Sequence, residues 1–280
     1  MITPPLFSVN QIDNHSYTFF DFETTGFDPL DTDRIIEIAM IKVINGTIAE
    51  RYETFINPQR TIPESASNVN HIYDSDVINA PVFDRTIATD LIRFIGDSIL
   101  IAHNAPFDIG FLSMEMARCG INFTSWKFID SLQIAQRLFP ATPNKLVSLI
   151  NRYNIQQNGD LHRAMVDTEA LVDVFFNLIG ENNISGLSTA ELIRNFGFHS
   201  TQENSQEQFP EMIRTALAGR TPMICRYTKR DGEEITLKFQ PISPVWHKGF
   251  WYLYVANRTN GGYSVLCCEN MKNIEYQQNI

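Results

Sequence analysis

The order of apolar and polar residues predicts a first part in which strands and helices alternate. Residues 16–22 form a short, aromatic-rich apolar run that is typical of a buried strand. Residues 35–44 and 50–56 are predicted to be two further strands, and Asn45-Gly46 between them is a dipeptide typical of hairpin turns. The pattern therefore predicts that three antiparallel strands open the chain.

Helical periodicity follows this opening. Residues 84–95 carry apolar side chains at helical spacing, and a helix from about Pro106 is expected to end before Gly120, since proline suits a first helical turn and glycine a helix end. The other predicted elements are strands at 98–102 and 126–129 and helices at 129–138, 144–153 and 163–179. This alternation implies an α/β fold, with a mixed sheet flanked by helices.

From residue 222 onward the pattern consists of strands alone. A short helix is predicted at 210–219. It is followed by four strands at 222–228, 235–242, 250–257 and 263–268, with turns at Asp231-Gly232, His247-Lys248-Gly249 and Asn260-Gly261-Gly262. Because closing such a sheet removes its exposed edges, a small β-barrel is expected.

A polar stretch, HSTQENSQEQF at 199–209, separates the two patterns and is typical of a linker. The predicted organisation is a first domain at 1–180, a helical and polar linker at 181–209 and a second domain at 210–280. The alternative is a long surface loop within one domain.

The charge is unevenly distributed along the 280 residues. The net charge is −10, and residues 1–180 alone hold 22 acids against 12 bases, whereas residues 210–280 hold 9 bases against 6 acids. This balance argues against a general nucleic-acid coat protein, which should be basic. The sequence has no basic segment followed by an apolar one at its start, and no apolar run of about 20 residues, so a cytoplasmic protein without a membrane partner is expected.

Candidate chemistry begins with Asp21 and Glu23, which lie two residues apart in a predicted strand and therefore share one face. Two neighbouring carboxylates repel each other, and a bound cation would relieve that repulsion. The alternative is a strand end with two solvated acids.

Three more residues extend this set. Asp108 is predicted at a strand-to-helix junction, where an acid also suits the helix N-terminus. Asp167 lies among apolar helical neighbours, and His162 precedes it by five positions. The alternative for His162 is a structural histidine. Four acids without a Cys/His cluster favour Mg²⁺ or Mn²⁺ over zinc. Two such ions about 3.5–4 Å apart can clamp the attacking and leaving oxygens of a phosphodiester, and histidine can take the proton of the attacking water.

Three motifs in this order resemble the DEDDh family of 3′–5′ exonucleases, to which the proofreading epsilon subunit of bacterial DNA polymerase III belongs. They are DFETTG at 21–26, IAHNAPFDIGFL at 101–112 and HRAMVDTEAL at 162–171, and the resemblance covers about residues 15–180. It implies a ribonuclease H-like fold. It also implies that Asp21, Glu23, Asp108 and Asp167 bind two Mg²⁺ (or Mn²⁺) ions, with His162 as the general base.

The same resemblance implies substrate contacts to the terminal nucleotide. The predicted set is Thr24, Thr25, Gly26, His71, Asn104 and Phe107, with a place in the core as the alternative for Phe107.

Residues 210–276 resemble a WYL domain, a small Sm/SH3-like barrel, through Trp251-Tyr252-Leu253 in a predicted strand. The strand YSVLCCENM lacks the arginines that this family often carries there. The remaining candidates for nucleic-acid contact are Arg226, Lys229, Arg230, Lys238 and Arg258, with a solvated face as the alternative.

The sequence therefore predicts a metal-dependent 3′–5′ exonuclease that releases nucleoside 5′-monophosphates from nucleic-acid 3′ ends, with single-stranded DNA favoured and the WYL-like domain recruiting or regulating it. Two alternatives stay open: a WYL-type regulatory protein that senses nucleic acid or a ligand, and an RNA-trimming exoribonuclease. A barrel stands where epsilon subunits carry a polymerase-docking tail, which favours a free-standing role in repair, processing or defence over a polymerase partner.

Overall fold

The computed structural model describes residues 15–121, 126–157, 159, 162–197, 211–248, 250–258 and 261–277. The chain divides into two compact units, made from the described residues of Met1–Asp28, Asp33–Asp108 and Trp126–His199, and from those of Pro29–Thr32, Ile109–Ser125 and Ser200–Ile280. The linker predicted at 199–209 and the turn residues Gly249 and Asn260 lie outside the described residues. None of the described helices is long and apolar enough to cross a membrane.

The first unit is built on the expected mixed sheet. Its strands are β1 (Ser16–Thr24), β2 (Ile35–Ile44), β3 (Thr47–Phe55), β4 (Ile99–Ala102) and β5 (Phe128–Asp130), in the order β3-β2-β1-β4-β5. The first three pair antiparallel, and β4 is parallel to both β1 and β5. Asn45 and Gly46 both have positive φ, as the predicted hairpin turn requires.

Helices accompany these strands, and five of them lie at or near the predicted positions. The helices are α1 (Glu64–Asn70), α2 (Asp74–Val77), α3 (Arg85–Ile95), α4 (Ala105–Arg118), α5 (Ser131–Leu138), α6 (Leu146–Tyr153), α7 (Ala164–Gly180) and α8 (Thr189–Phe196). The first two were not predicted, and α8 lies in the stretch predicted as a helical and polar linker. Helix α4 begins in the first unit, and its residues from Ile109 onward belong to the second. The most apolar, α7, packs on β1 and β2, where the Phe175 ring lies 5.4 Å from that of Phe19. This contact packs the second half of α7 against the central strand β1.

The second unit contains an antiparallel sheet of five strands, consistent with the expected small barrel. Helix α9 (Glu211–Gly219) precedes β6 (Met223–Thr228), β7 (Glu234–His247), β8 (Phe250–Asn257), β9 (Tyr263–Cys267) and β10 (Met271–Tyr276), in the order β10-β6-β7-β8-β9. The prediction of four strands was wrong by one. Strand β10 lies at the edge and is mostly exposed or partly exposed, so it lacks the apolar alternation that identifies a strand.

Candidate active site

Two carboxylates on β1 form the floor of the site. Asp21 and Glu23 lie two residues apart on the strand, so both side chains are on the same face of the sheet. Phe22 between them is buried on the other face, with 4% of its surface exposed. Phe22 thus packs the strand against the core, while the side chains of Asp21 and Glu23 lie partly exposed on the opposite face.

A third carboxylate reaches β1 from the first turn of α4. The backbone N–H of Phe22 donates a hydrogen bond to Asp108 Oδ1 at 3.2 Å, and the Asp108 side chain is buried. The turn before this helix is held by Asp130, whose Oδ1 accepts the Asn104 N–H at 2.9 Å. Asn104 itself is exposed and has a left-handed backbone, with φ of 69°.

The segment that leads into α7 supplies the fourth carboxylate and the histidine. The His162 N–H donates to Asp167 Oδ2 at 3.1 Å. One ligand atom of each of Glu23, His162 and Asp167 lies within 4.8 Å of the others. The structure therefore brings together residues that are more than 130 positions apart in the sequence.

Burial and repulsion raise the pKa values of these carboxyl groups. For Asp21, burial raises the pKa most, followed by the negative charges of Asp108, Glu23 and Asp167. Burial, then the charge of Asp167, raises the pKa of Glu23 to about 8, and burial raises the pKa of Asp108 to about 8. A cation bound among these groups would offset both effects.

The donor set fits a hard divalent cation. Asp167 Oδ1 is buried and has no hydrogen-bond partner among the residues that the structure describes, although buried oxygens normally have one. Its neighbours in the cluster are a carboxylate oxygen of Glu23 and a ring nitrogen of His162, and carboxylate oxygens are the ligands that Mg²⁺ and Mn²⁺ prefer. Asp21, Glu23, Asp108 and Asp167 could therefore hold such an ion.

The loop after β1 is held in shape by Asp33. The Thr24 hydroxyl donates to the Gly26 carbonyl at 2.7 Å, and the Thr25 hydroxyl donates to Asp33 Oδ1 at 3.2 Å. A Cβ atom at Gly26 would overlap the Asp33 carboxylate. The two predicted hydroxyl contacts are thus engaged within the loop, and a side chain at position 26 would force the Asp33 carboxylate to move.

At the end of α1, Asn70 is the residue that contacts the site. Its side chain is buried, hydrogen-bonds Glu23 and donates from Nδ2 to the Thr24 carbonyl at 3.4 Å. The neighbouring His71, predicted as a substrate contact, is exposed and has φ of 56°. Sequence reasoning missed Asn70 because a buried asparagine in a polar stretch has no distinctive pattern.

Two phenylalanines lie side by side near the site. Phe27, which directly follows the Asp33-held loop, has 78% of its surface exposed. Its ring centroid lies 6.4 Å from that of Phe107, in the first turn of α4. Phe107 was predicted as a contact and Phe27 was not. An aromatic residue immediately after DFETTG was the available signal.

In the second unit the five candidate cations are all exposed. Lys229 forms an ion pair with Glu233. Arg226 pairs across strands with Thr236 and Lys272, and Lys238 with Ile224, so Arg226, Lys238 and Lys272 share the same face of the sheet.

The comparisons with known proteins agree with this geometry. The sequence model of the exonuclease family RNase_T matches residues 18–175, and that of the WYL domain matches residues 208–276. The chain is 38% identical over 166 residues to DNA polymerase III subunit epsilon of Rickettsia prowazekii, an alignment covering 57% of this chain and 72% of that relative.

Solved structures confirm the ribonuclease H-like exonuclease fold. One is exonuclease X in complex with 5′ overhanging duplex DNA, at a TM-score of 0.50 and 23% identity, covering 64% of this chain and 98% of that one. Another is the nuclease domain of 3′hExo, a DEDDh family member bound to rAMP, at a TM-score of 0.54 and 15% identity, covering 62% and 96%.

The predicted resemblances of both parts of the chain are confirmed, as is the prediction of a 3′–5′ exonuclease. The chain therefore belongs to the exonuclease (RNase_T) family, with a WYL domain after its nuclease domain.

Proposed function

We propose that this enzyme is metal-dependent and releases nucleoside 5′-monophosphates from the 3′ ends of nucleic acids, with DNA favoured. The observation that carries the proposal is a cluster of four carboxyl groups. Asp108, Glu23 and Asp167 lie close enough to Asp21 that their negative charges raise its pKa. A fold tolerates such a cluster when a cation neutralises it.

We assign two Mg²⁺ or Mn²⁺ ions to these four carboxylates. The assignment is supported by Asp167 Oδ1, which is buried without a hydrogen-bond partner in the described part of the chain. When bound, the ions would stabilise negative charge on the attacking and leaving oxygens of the phosphodiester. The role of the chain is to hold the carboxylates in place through β1, α4 and α7.

His162 is assigned as the general base because its ring lies with Glu23 and Asp167 and is exposed to entering water. A ring nitrogen of His162 takes the proton of the water that attacks the phosphorus atom. The bond between phosphorus and the 3′ oxygen of the preceding nucleotide then breaks, which leaves a shortened strand and a nucleoside 5′-monophosphate.

Phe27 and Phe107 are assigned to the bases near the 3′ end. Aromatic rings bind bases of any sequence by stacking, at about 1–3 kcal/mol per base. The high exposure of Phe27 next to the catalytic strand supports this role, since an exposed ring of this size otherwise costs hydrophobic stabilisation.

The second domain is assigned a recruiting or regulatory role. The shared face of Arg226 and Lys238 supports contact with phosphates along a longer strand. Lys272 on that face forms an ion pair with Glu234 at 3.3 Å. We further propose that the enzyme acts apart from a replicative polymerase, because a WYL domain accompanies the nuclease domain. Stable copurification with a polymerase subunit would overturn that part.

Digestion of matched DNA and RNA strands tests the proposal. Single- and double-stranded forms with the same sequence are incubated with Mg²⁺, Mn²⁺ or a chelator, and the products are separated by chromatography. We expect nucleoside 5′-monophosphates, fastest from single-stranded DNA and absent with the chelator. Because one solved neighbour is bound to rAMP, faster digestion of RNA would identify the enzyme as an exoribonuclease.

A further inference from the structure

A buried carboxylate that is not among the proposed metal ligands lies beside the site. Glu37 on β2 is the cross-strand partner of Glu23 on β1, so the two side chains share the catalytic face of the sheet. Only 1% of the Glu37 side chain is exposed. A buried acid in such a position needs partners for both of its oxygens.

Both Glu37 oxygens are used by the segment that begins α7. Arg163 Nη2 donates to Oε1 at 2.7 Å, and Arg163 Nε lies 3.3 Å from each oxygen. The backbone N–H of Ala164 donates to Oε2 at 2.9 Å. The Arg163 guanidinium also covers the Phe55 ring at 5.3 Å. Glu37 therefore holds two consecutive residues, one by its side chain and one by its backbone.

The residue just before this pair is His162, whose backbone is left-handed with φ of 67°. Residues with a Cβ atom adopt this conformation uncommonly, although histidine does so more often than most, and it depends on contacts from the surroundings. Here the His162 N–H is held by Asp167 Oδ2 on one side, and Arg163 and Ala164 are held by Glu37 on the other.

We propose that Glu37 is a positioning residue that, through Arg163 and the Ala164 N–H, fixes His162 in the orientation needed for proton transfer. The inference rests on the proposed role of His162. It assigns Glu37 no contact with substrate or metal, and it predicts that the charge and both oxygens of Glu37 are required.

A second buried pair offers a matched control. Glu115, with 1% of its side chain exposed, pairs with Arg118 at 3.1 Å. If Glu37 merely stabilises the fold, then Glu37→Gln and Glu115→Gln should have similar effects. If Glu37 positions His162, only Glu37→Gln should change catalysis and the environment of the His162 ring.

The experiment uses the full chain, with Glu37→Gln, Glu115→Gln and Arg163→Lys variants. Steady-state digestion gives kcat and KM, and NMR of protein labelled at its histidine rings gives the His162 signal, assigned with His162→Gln. Glu37→Gln is expected to lower kcat about 10- to 100-fold with little change in KM, and to shift or broaden the His162 signal. Glu115→Gln should change neither.

Arg163→Lys keeps the positive charge but loses the two-pronged contact, so a smaller loss of kcat and the same direction of signal change are expected. This variant also tests the inference if Glu37→Gln fails to fold, because the Arg163 side chain is 39% exposed and its replacement disturbs the core less. Unchanged kcat and an unchanged His162 signal in both folded variants would overturn the inference. An inactive wild-type enzyme, or an active His162→Gln variant, would instead refute the proposed function.

Discussion

The hydrogen bond from the Phe22 N–H to Asp108 Oδ1, 3.2 Å long, joins β1 to α4, the helix that carries the third carboxylate. Phe22 turns its side chain into the core while its backbone orients an acid on the opposite side. The position between Asp21 and Glu23 therefore has a structural task of its own, and the geometry of Asp108 depends on β1 rather than on α4 alone.

Asp108→Asn is expected to separate metal binding from folding. The amide oxygen can still accept a hydrogen bond from the Phe22 N–H. Removing one of the four carboxylates also reduces the electrostatic repulsion that destabilises the folded chain. In a chelator, the variant should unfold at the same or a higher temperature than the wild type. Adding Mn²⁺ should raise the melting temperature of the wild type but not of the variant. Equal stabilisation of both proteins by Mn²⁺ would contradict the assignment of Asp108 as a ligand.

Gly26→Ala is expected to disrupt the loop after β1. The new methyl group would overlap the Asp33 carboxylate, which also accepts the Asp28 N–H and pairs with Arg60. Overpacking of this kind costs about 1–3 kcal/mol of unfolding free energy, and KM should rise as the loop moves. Gly186→Ala is the control, because a methyl group at that position would meet no described residue other than its chain neighbours within 4 Å. Equal urea denaturation midpoints for the two variants would argue against this role of Gly26.

Much of the fold and of the site could be predicted because the signals are local. The spacing of Asp21 and Glu23 on a strand determines their shared face. Asp108 and Asp167 stand at element boundaries that proline, glycine and apolar periodicity mark. In the structure, Asp21 lies close enough to Asp108, Glu23 and Asp167 for their charges to raise its pKa, and their role as metal ligands stays a prediction.

The rest depends on contacts between distant residues. The pair of Glu37 and Arg163 spans 126 positions, and nothing in either local sequence indicates it. Helix α1 was missed because its buried residues are Ser67 and Asn70, so it has no apolar stripe. The buried Ser67 hydroxyl donates a hydrogen bond to the Ile72 carbonyl at 2.7 Å. Apolar periodicity does not detect residues that are buried through a hydrogen bond.

Phe27→Ala is expected to weaken substrate binding without weakening the fold. Phe27 is 78% exposed, so its removal should change the unfolding free energy by no more than about 0.5 kcal/mol. Loss of one stacked base should weaken binding of a single strand by about 1–3 kcal/mol, measured by fluorescence anisotropy with catalysis blocked by a chelator. Ile78→Ala, at a position 63% exposed, should leave affinity unchanged. If both variants bind like the wild type, Phe27 is not a stacking residue.

Acidification is expected to destabilise the fold through His103. Burial lowers the pKa of His103 to about 4 from an ordinary value of 6.5, and its ring nitrogens lie 2.9 Å from Ser131 Oγ and the Asn144 carbonyl oxygen. Between these two pH values the unfolded chain binds a proton that the folded chain does not, so stability falls as the pH falls. Urea unfolding at about pH 7.5 and about pH 5 should show a larger loss for the wild type than for His103→Gln. An identical loss would exclude His103 as the cause.

The exposed cations of the second domain are expected to set the salt dependence of binding. Arg226→Ala and Lys238→Ala should each reduce the slope of log affinity against log salt by about 0.7 for a single strand. Lys229→Ala should have a smaller effect, because Lys229 already pairs with Glu233. Anisotropy titrations of the full chain across a salt series measure these slopes. If all three variants show the same slope as the wild type, these residues of the second domain do not contact the nucleic acid.

The most direct test of the central claim follows 5′-labelled single-stranded DNA during digestion with Mg²⁺ by wild type, Asp21→Asn, His162→Ala and the surface control Asp90→Asn. The wild type and Asp90→Asn should shorten the labelled strand progressively from its 3′ end and stop when a chelator is added. Asp21→Asn should leave the strand intact, and His162→Ala should cut about 10²–10⁴ times more slowly. Cutting that continues in the chelator, or that proceeds at the wild-type rate in Asp21→Asn and His162→Ala, would contradict the assignment of this site.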